Sequence, residues 1–168
     1  MKITFVWIIS FFIVSMILIF SSCNDNSSHL TQKDRSIITD SVQQMTEAIA
    51  RDVTKEGPVA WLRYFEDTPD FFMASEGKLV FLNNDSASKI INTTLTKTIS
   101  NIELHWNNIR IDPLNSNLAS IAAVFHENIT DYAGNKTPVD GYFTGITKKT
   151  FRGWKLHNAH WSVLVSKH

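Results

Sequence analysis

The chain has 168 residues, with 16 Lys and Arg against 16 Asp and Glu, 43% hydrophobic residues and one Cys. That is the length of a single domain. Balanced charge argues against a nucleic-acid binder, and one Cys excludes an intramolecular disulfide framework or a multi-Cys zinc site.

Lys2 is followed by a run from Ile3 to Phe20 without charge, in which only Thr4, Ser10 and Ser15 are polar. The run ends at Ser21-Ser22-Cys23, and the composition then flips to Asn24-Asp25-Asn26-Ser27-Ser28. A basic start, an apolar run and small residues describe an export signal. Ser21-Ser22-Cys23 resembles a bacterial lipobox, which implies a lipidated Cys23; Phe20 stands where that pattern prefers Leu. The expected organisation is a signal over 1–22, a polar tether over 23–31 and an exported domain over 32–168, lipid-anchored to a membrane of the cell envelope. An uncleaved anchor or plain secretion would export the same domain.

Ile38, Val42, Met45, Ile49 and Val53 form one apolar stripe, which predicts a helix from Gln32 to Lys55. Gly57-Pro58 ends it and opens a short second helix, Val59 to Phe65, with Trp61, Leu62 and Phe65 facing the core. Phe71–Ala74 and Lys78–Leu82 read as a hairpin around Ser75-Glu76-Gly77. Asp85 or Ser86 then caps a third helix, with Ile90, Ile91, Thr94, Leu95 and Thr98 on its buried side. Four long strands follow. The first alternates through Ile102, Leu104 and Trp106, and Asn107-Asn108 shifts its parity, as a β-bulge would. Leu118–Thr130, Val139–Thr150 and Trp154–Val165 complete an antiparallel meander. Helices segregated from strands indicate an α+β domain: a curved antiparallel sheet wrapped around the long N-terminal helix and covered by two shorter ones.

Trp61-Leu62-Arg63-Tyr64-Phe65-Glu66, Gly141-Tyr142-Phe143-Thr144, Gly153-Trp154-Lys155-Leu156 and His160-Trp161-Ser162, taken with the element order, resemble the nuclear transport factor 2-like superfamily, in its SnoaL-like, ketosteroid-isomerase-like branch. The resemblance covers roughly 32–166. It implies a cone with a pocket between sheet and helices, and members that are isomerases, dehydratases, cyclases or pure binding domains. It also implies a pair of inward histidines two apart in the last strand, where this chain has Asn158 and His160.

Strict alternation in that strand puts Trp154, Leu156, Asn158, His160 and Ser162 on one face, and Trp161 with Val163 on the other. His160 is then the candidate base or ligand contact, against a core histidine. Trp61, Arg63, Tyr64, Tyr142, Thr144 and Asn158 are the remaining candidate pocket residues, with Arg63 able to hold a carboxylate by two prongs. Arg63 could equally pair with a neighbouring acid, and Tyr142 and Thr144 could face solvent. No acid reads as buried on the apolar face: Glu103 points outward, Asp112 is in a turn, and Glu127 and Asp131 lie near a strand end. The histidines show no metal-ligand spacing, so neither metal nor cofactor is expected. The missing acid favours a binding module for a small ligand or an envelope partner protein. An isomerase, cyclase or dehydratase using His160, with Tyr64 or Tyr142 as donor, is the alternative. A structural homodimer with a filled cone, Trp161 on its outer face as a subunit contact, is a third.

Overall fold

The computed structural model describes residues 30–164. The signal and residues 23–29 of the tether, Cys23 among them, lie outside the described residues. None of the described helices is long and apolar enough to cross a membrane.

Helix α1 runs Gln32–Glu56. Thr31 caps it by accepting from the Asp34 amide, while the Asp34 carboxylate accepts from the Thr31 amide and hydroxyl. Its buried face is the expected stripe, Ile38, Val42, Met45, Ile49 and Val53. Each such side chain contributes about 1.5–3 kcal/mol on full burial. The chain turns out of α1 at Gly57, whose φ of 77° favours glycine. Pro58–Arg63 then forms a 3-10 helix, shorter and tighter than the α-helix expected to Phe65. Phe65 instead bridges to Leu156 of the sheet.

Strands β1 (Phe72–Ser75) and β2 (Lys78–Phe81) pair around Glu76-Gly77, both with positive φ. Helix α2 spans Asn84–Ile90. Its cap is Asn83, not Asp85 or Ser86. The Asn83 side chain accepts from the Ser86 amide at 2.8 Å, and Ser86 Oγ accepts from the Asn83 amide at 3.0 Å, so Ser86 is the third helical residue of a capping box. A π-turn, Ile91–Leu95, and a final turn α3, Thr96–Thr98, continue the rod. The π-turn rotates the later residues, so Thr94 and Thr98 are exposed although the 3.6-residue period placed them inside. Thr93, Thr96 and Thr98 hydroxyls each donate to the carbonyl four residues back.

The long strands are β3 (Ile99–Asn115), β4 (Leu118–Asp131), β5 (Lys136–Thr150) and β6 (Gly153–Val163). The sheet order is β2-β1-β6-β5-β4-β3. The four long strands are antiparallel neighbours as expected, and β1 joins β6 in parallel. The bulge at Asn107-Asn108 is present, with Asn108 at φ 51° and a register shift before Arg110. A second register shift separates Ile146, opposite Asn158, from Thr147, opposite Leu156, and leaves His157 without a partner position. Gly141 and Gly145 let the chains close up here: a Cβ on Gly141 would lie 2.0 Å from the Ser162 carbonyl oxygen, and one on Gly145 would lie 2.7 Å from that of Asn158. The sheet curls around α1 without closing. Thr54 Oγ1 accepts from the Leu104 amide at 3.0 Å and pins helix to sheet.

Candidate functional site

The bulge at His157 decides what the cone contains. Before it, Trp154 and Leu156 are buried; after it, Ala159 and Trp161 are. Alternation thus flips once within β6. His160, expected on the Trp154 face, is exposed on the outer surface, and Trp161, expected outside, is an inner residue at 8% exposure. Asn158 is half-buried at the bulge, where its Oδ1 accepts from the Ile146 amide at 3.3 Å. On β5 the buried residues are Gly141, Phe143, Gly145 and Thr147, so Tyr142 and Thr144 lie on the outer face.

The 3-10 helix contributes Trp61 to the cone as expected. Arg63 and Tyr64 are committed elsewhere. Arg63 donates two hydrogen bonds to Glu56, at 2.6 and 3.1 Å, and one to Asp52 at 3.0 Å. The two-pronged geometry is there, but the carboxylate is supplied by α1 instead of a ligand. Glu56 and Asp52, not Glu66 or Asp67, are its partners. The Tyr64 hydroxyl donates to Asp52 at 2.6 Å. Burial and that carboxylate push its pKa up to about 12.

Inside, Trp61, Trp106, Phe125, Phe143 and Trp161 form one aromatic cluster with ring centroids 4.3–6.5 Å apart. The Trp106 indole N–H is buried there without an acceptor. Beside the cluster remains a cavity of about 230 Å³, walled by Trp61, Phe65, Phe81, Ile102, Phe143 and Trp161 among others. Among the described residues, two polar side chains reach it, Ser75 and Glu127.

Glu127 lies on β4 opposite Leu104 and is 8% exposed. Among the described residues it has no hydrogen-bond or ion-pair partner, and desolvation alone pushes its carboxyl up to about 7. This is the buried acid that the strand-end reading missed. Its signal was in the sequence: Glu127 shares parity with Ala119, Ile121, Ala123 and Phe125, all buried.

A second buried carboxylate, Glu66 at 4% exposure, lies beyond the 3-10 helix. Lys148 Nζ is 2.7 Å from one oxygen and His157 Nδ1 is 2.5 Å from the other. Burial opposes its charge, but hydrogen bonds from Lys148 and His157 outweigh that and hold the carboxyl below its usual range. Among the described residues, no three His, Cys, Asp or Glu side chains gather as a metal site would require.

No protein-family model matches the sequence, and no curated protein does. Solved structures do. A nuclear transport factor 2-like superfamily protein from Salmonella enterica serovar Typhimurium is 18% identical with a TM-score of 0.64, over 78% of this chain and 96% of that one. A scytalone dehydratase-like protein from Novosphingobium aromaticivorans is 13% identical with a TM-score of 0.70, over 82% and 93%. A hexachlorocyclohexane dehydrochlorinase from Novosphingobium barchaimii is 12% identical with a TM-score of 0.61, over 82% and 97%. The helix-wrapped open sheet, the parallel β1–β6 edge and these matches together identify the fold of this chain as nuclear transport factor 2-like.

Proposed function

We propose that the protein is a small-molecule binding module held at the cell envelope, whose cone takes a compact, largely apolar ligand and meets its one polar group with Glu127. The observation that carries this reading is a lone, unpaired carboxyl in the wall of an otherwise apolar cavity. A dry cavity of about 150 Å³ admits benzene, so about 230 Å³ suits a single ring with substituents or a short branched chain. An unpaired carboxyl in such a wall destabilises the fold unless something hydrogen-bonds to it. A ligand hydroxyl, amine or amide N–H would supply that bond.

The second reading is an enzyme of the isomerase or dehydratase kind, with Glu127 in place of His160 as the proton-transfer group. It is favoured by a carboxyl raised to about 7, which holds protonated and ionised forms together near neutral pH. Two structurally similar chains are described as a dehydratase and a dehydrochlorinase. The cavity offers such a reaction only one further polar side chain, Ser75.

The test compares the full chain with Glu127→Gln and Glu127→Leu, by thermal shift against single-ring and alicyclic alcohols, amines and ketones. The binding reading expects a ligand that stabilises the parent, binds Glu127→Gln comparably or weaker, and binds Glu127→Leu about tenfold or more weakly, in line with about 1.5–3 kcal/mol for a hydrogen bond to a charged group. A bound compound that the parent converts and Glu127→Gln leaves intact establishes the second reading. A parent that binds nothing while Glu127→Leu is simply more stable would make the cone a structural core and sink both.

A further inference from the structure

The β5–β6 hairpin ends in Lys148-Lys149-Thr150-Phe151-Arg152-Gly153-Trp154-Lys155, with four cations in eight residues. Phe151 at its tip is 92% exposed, more than any other described large apolar side chain. The Arg152 guanidinium lies 5.1 Å from the centre of its ring. Lys148 is held by Glu66, but among the described residues no carboxylate lies within ion-pair distance of Lys149, Arg152 or Lys155. Lys155 Nζ donates to the Arg63 carbonyl oxygen and sits over the Tyr64 ring. Lys148, Lys149, Arg152, Lys155 and Arg63 line one groove of about 760 Å³, to which, among the described residues, only Glu66 and Asp67 bring carboxylates.

The position of this tip is as telling as its composition. Lys149 donates its amide to the Asn117 carbonyl at 2.8 Å, so the β5–β6 and β3–β4 turns lie together at one end of the sheet. Arg35, in the first turn of α1, donates to the Pro113 carbonyl at 3.2 Å, which places the N-terminus of α1 at that same end. Leu114, beside the β3–β4 turn, is 54% exposed there. Seven Cα-to-Cα steps lead from Cys23 to Leu30. They span at most about 25 Å when extended. An apolar segment seated in a bilayer before residue 23 would therefore keep the basic tip within reach of the surface. The β4–β5 turn, with Tyr132, is at the far end.

We propose that the β5–β6 hairpin docks on an anionic bilayer surface, with Phe151 inserted among the acyl chains and Lys149 and Arg152 at the lipid phosphates. The pairing is one of charge and depth: exposed cations gain from negative lipid headgroups, and an exposed aromatic flanked by long basic side chains suits the interface. Docking would fix the orientation of the cone on the membrane. This inference rests on the envelope tether only for orientation, because the tip's charge and its exposed Phe151 stand without it.

The test uses the full chain with Cys23→Ser, so that an introduced cysteine is unique. A polarity-sensitive fluorophore is placed by Phe151→Cys or, as the far-end control, by Tyr132→Cys. Vesicles of phosphatidylcholine alone are compared with vesicles containing phosphatidylglycerol. The expected result is blue-shifted emission at 151 on anionic vesicles only, and water-like emission at 132 on both. Salt near 1 M, where the screening length is about 3 Å, should return the 151 signal to its aqueous value. Lys149→Gln with Arg152→Gln should lower the docked-to-undocked ratio about 30-fold. A chain that docks on anionic vesicles through position 151 and ignores neutral ones keeps this inference without help from the lipid anchor, which Cys23→Ser removes. A chain that floats with both vesicle types while position 151 stays in water on both overturns docking, since its apolar 3–20 run alone would then hold it. Equal blue shifts at 151 and 132 also overturn it, since the surface would then have no preferred end.

Discussion

Glu66 and Glu127 are both little exposed, at 4% and 8%, but Glu127 lies the deeper of the two, and their carboxyls shift in opposite directions. Glu66 sits where the 3-10 helix meets the outer edge of the cone, with the Lys148 ammonium at one oxygen and the His157 imidazole at the other. Glu127 faces the inner cavity with no such partner among the described residues. Low surface exposure alone therefore does not set the state of an acid; its depth and the donors that the fold brings to it decide together. For Glu66 the donors turn a desolvation penalty into a low carboxyl pKa. For Glu127 the penalty stands uncompensated, and a site that is expensive to the fold is open to a ligand.

The largest effect should follow from making Glu66 resemble Glu127. Lys148→Met with His157→Leu strips both partners and leaves a buried unpaired carboxylate, which should destabilise the fold by about 3–5 kcal/mol at neutral pH. The pH dependence has a definite sign. Because the Glu66 carboxyl is held low in the folded state, its stabilisation is present above the unfolded carboxylate range and is lost as pH falls through the folded value. Urea unfolding at pH 7 and in acid checks this: the gap between parent and double variant should narrow in acid. A gap unchanged by pH would mean that packing, not charge, holds Glu66.

The next effect should come from removing the penalty at Glu127. Its carboxyl is raised from 4.5 to about 7, so the folded state binds the proton more tightly than the unfolded state does. Stability should therefore fall as pH rises between those values, by about 3 kcal/mol in all. Glu127→Gln mimics the protonated acid. It should match the parent near pH 4 and exceed it by about 2–3 kcal/mol at pH 8. Thermal unfolding across that range gives the answer. Equal stability of the two chains at pH 8 would mean that water or an unseen donor already satisfies Glu127.

Much of this architecture was legible in the sequence, and the exceptions have local causes. The α1 stripe at spacings of three and four could only be a helix packed on one side. Asn107-Asn108 announced its bulge because two polar residues broke an apolar alternation. The bulge at His157 announced nothing, because Leu156-His157-Asn158-Ala159 keeps a plausible alternation whether or not a residue is squeezed out. One unread residue sent His160 outward and Trp161 inward, and moved the candidate site from β6 to β4. Glu127 is missed for another reason: nearness to a strand end sets it aside, while its parity with the buried Phe125 points inside. Arg63 shows the limit of a chemical reading without distances: its fork was recognised, but only the fold shows Glu56 and Asp52 one α1 turn apart beneath it.

The smallest effect should be the one that separates the two readings of β6. If strict alternation held, His160 would lie on the cavity wall, and His160→Ala would lose buried contacts and weaken any ligand. With His157 bulged, His160 projects from the outer face opposite Thr144, and no described side chain bonds to it. His160→Ala should then change stability by no more than about 0.5 kcal/mol, as exposed positions do, and leave binding in the cone unchanged. Trp161→Ala, one residue on, should cost about 3–5 kcal/mol, because it removes the ring that meets Trp61, Trp106, Phe125 and Phe143. Adjacent residues in one strand always differ in facing, so the contrast itself is no test; its direction is. A costly His160→Ala beside a mild Trp161→Ala would return β6 to a single alternation and put the histidine back in the cone in place of Glu127.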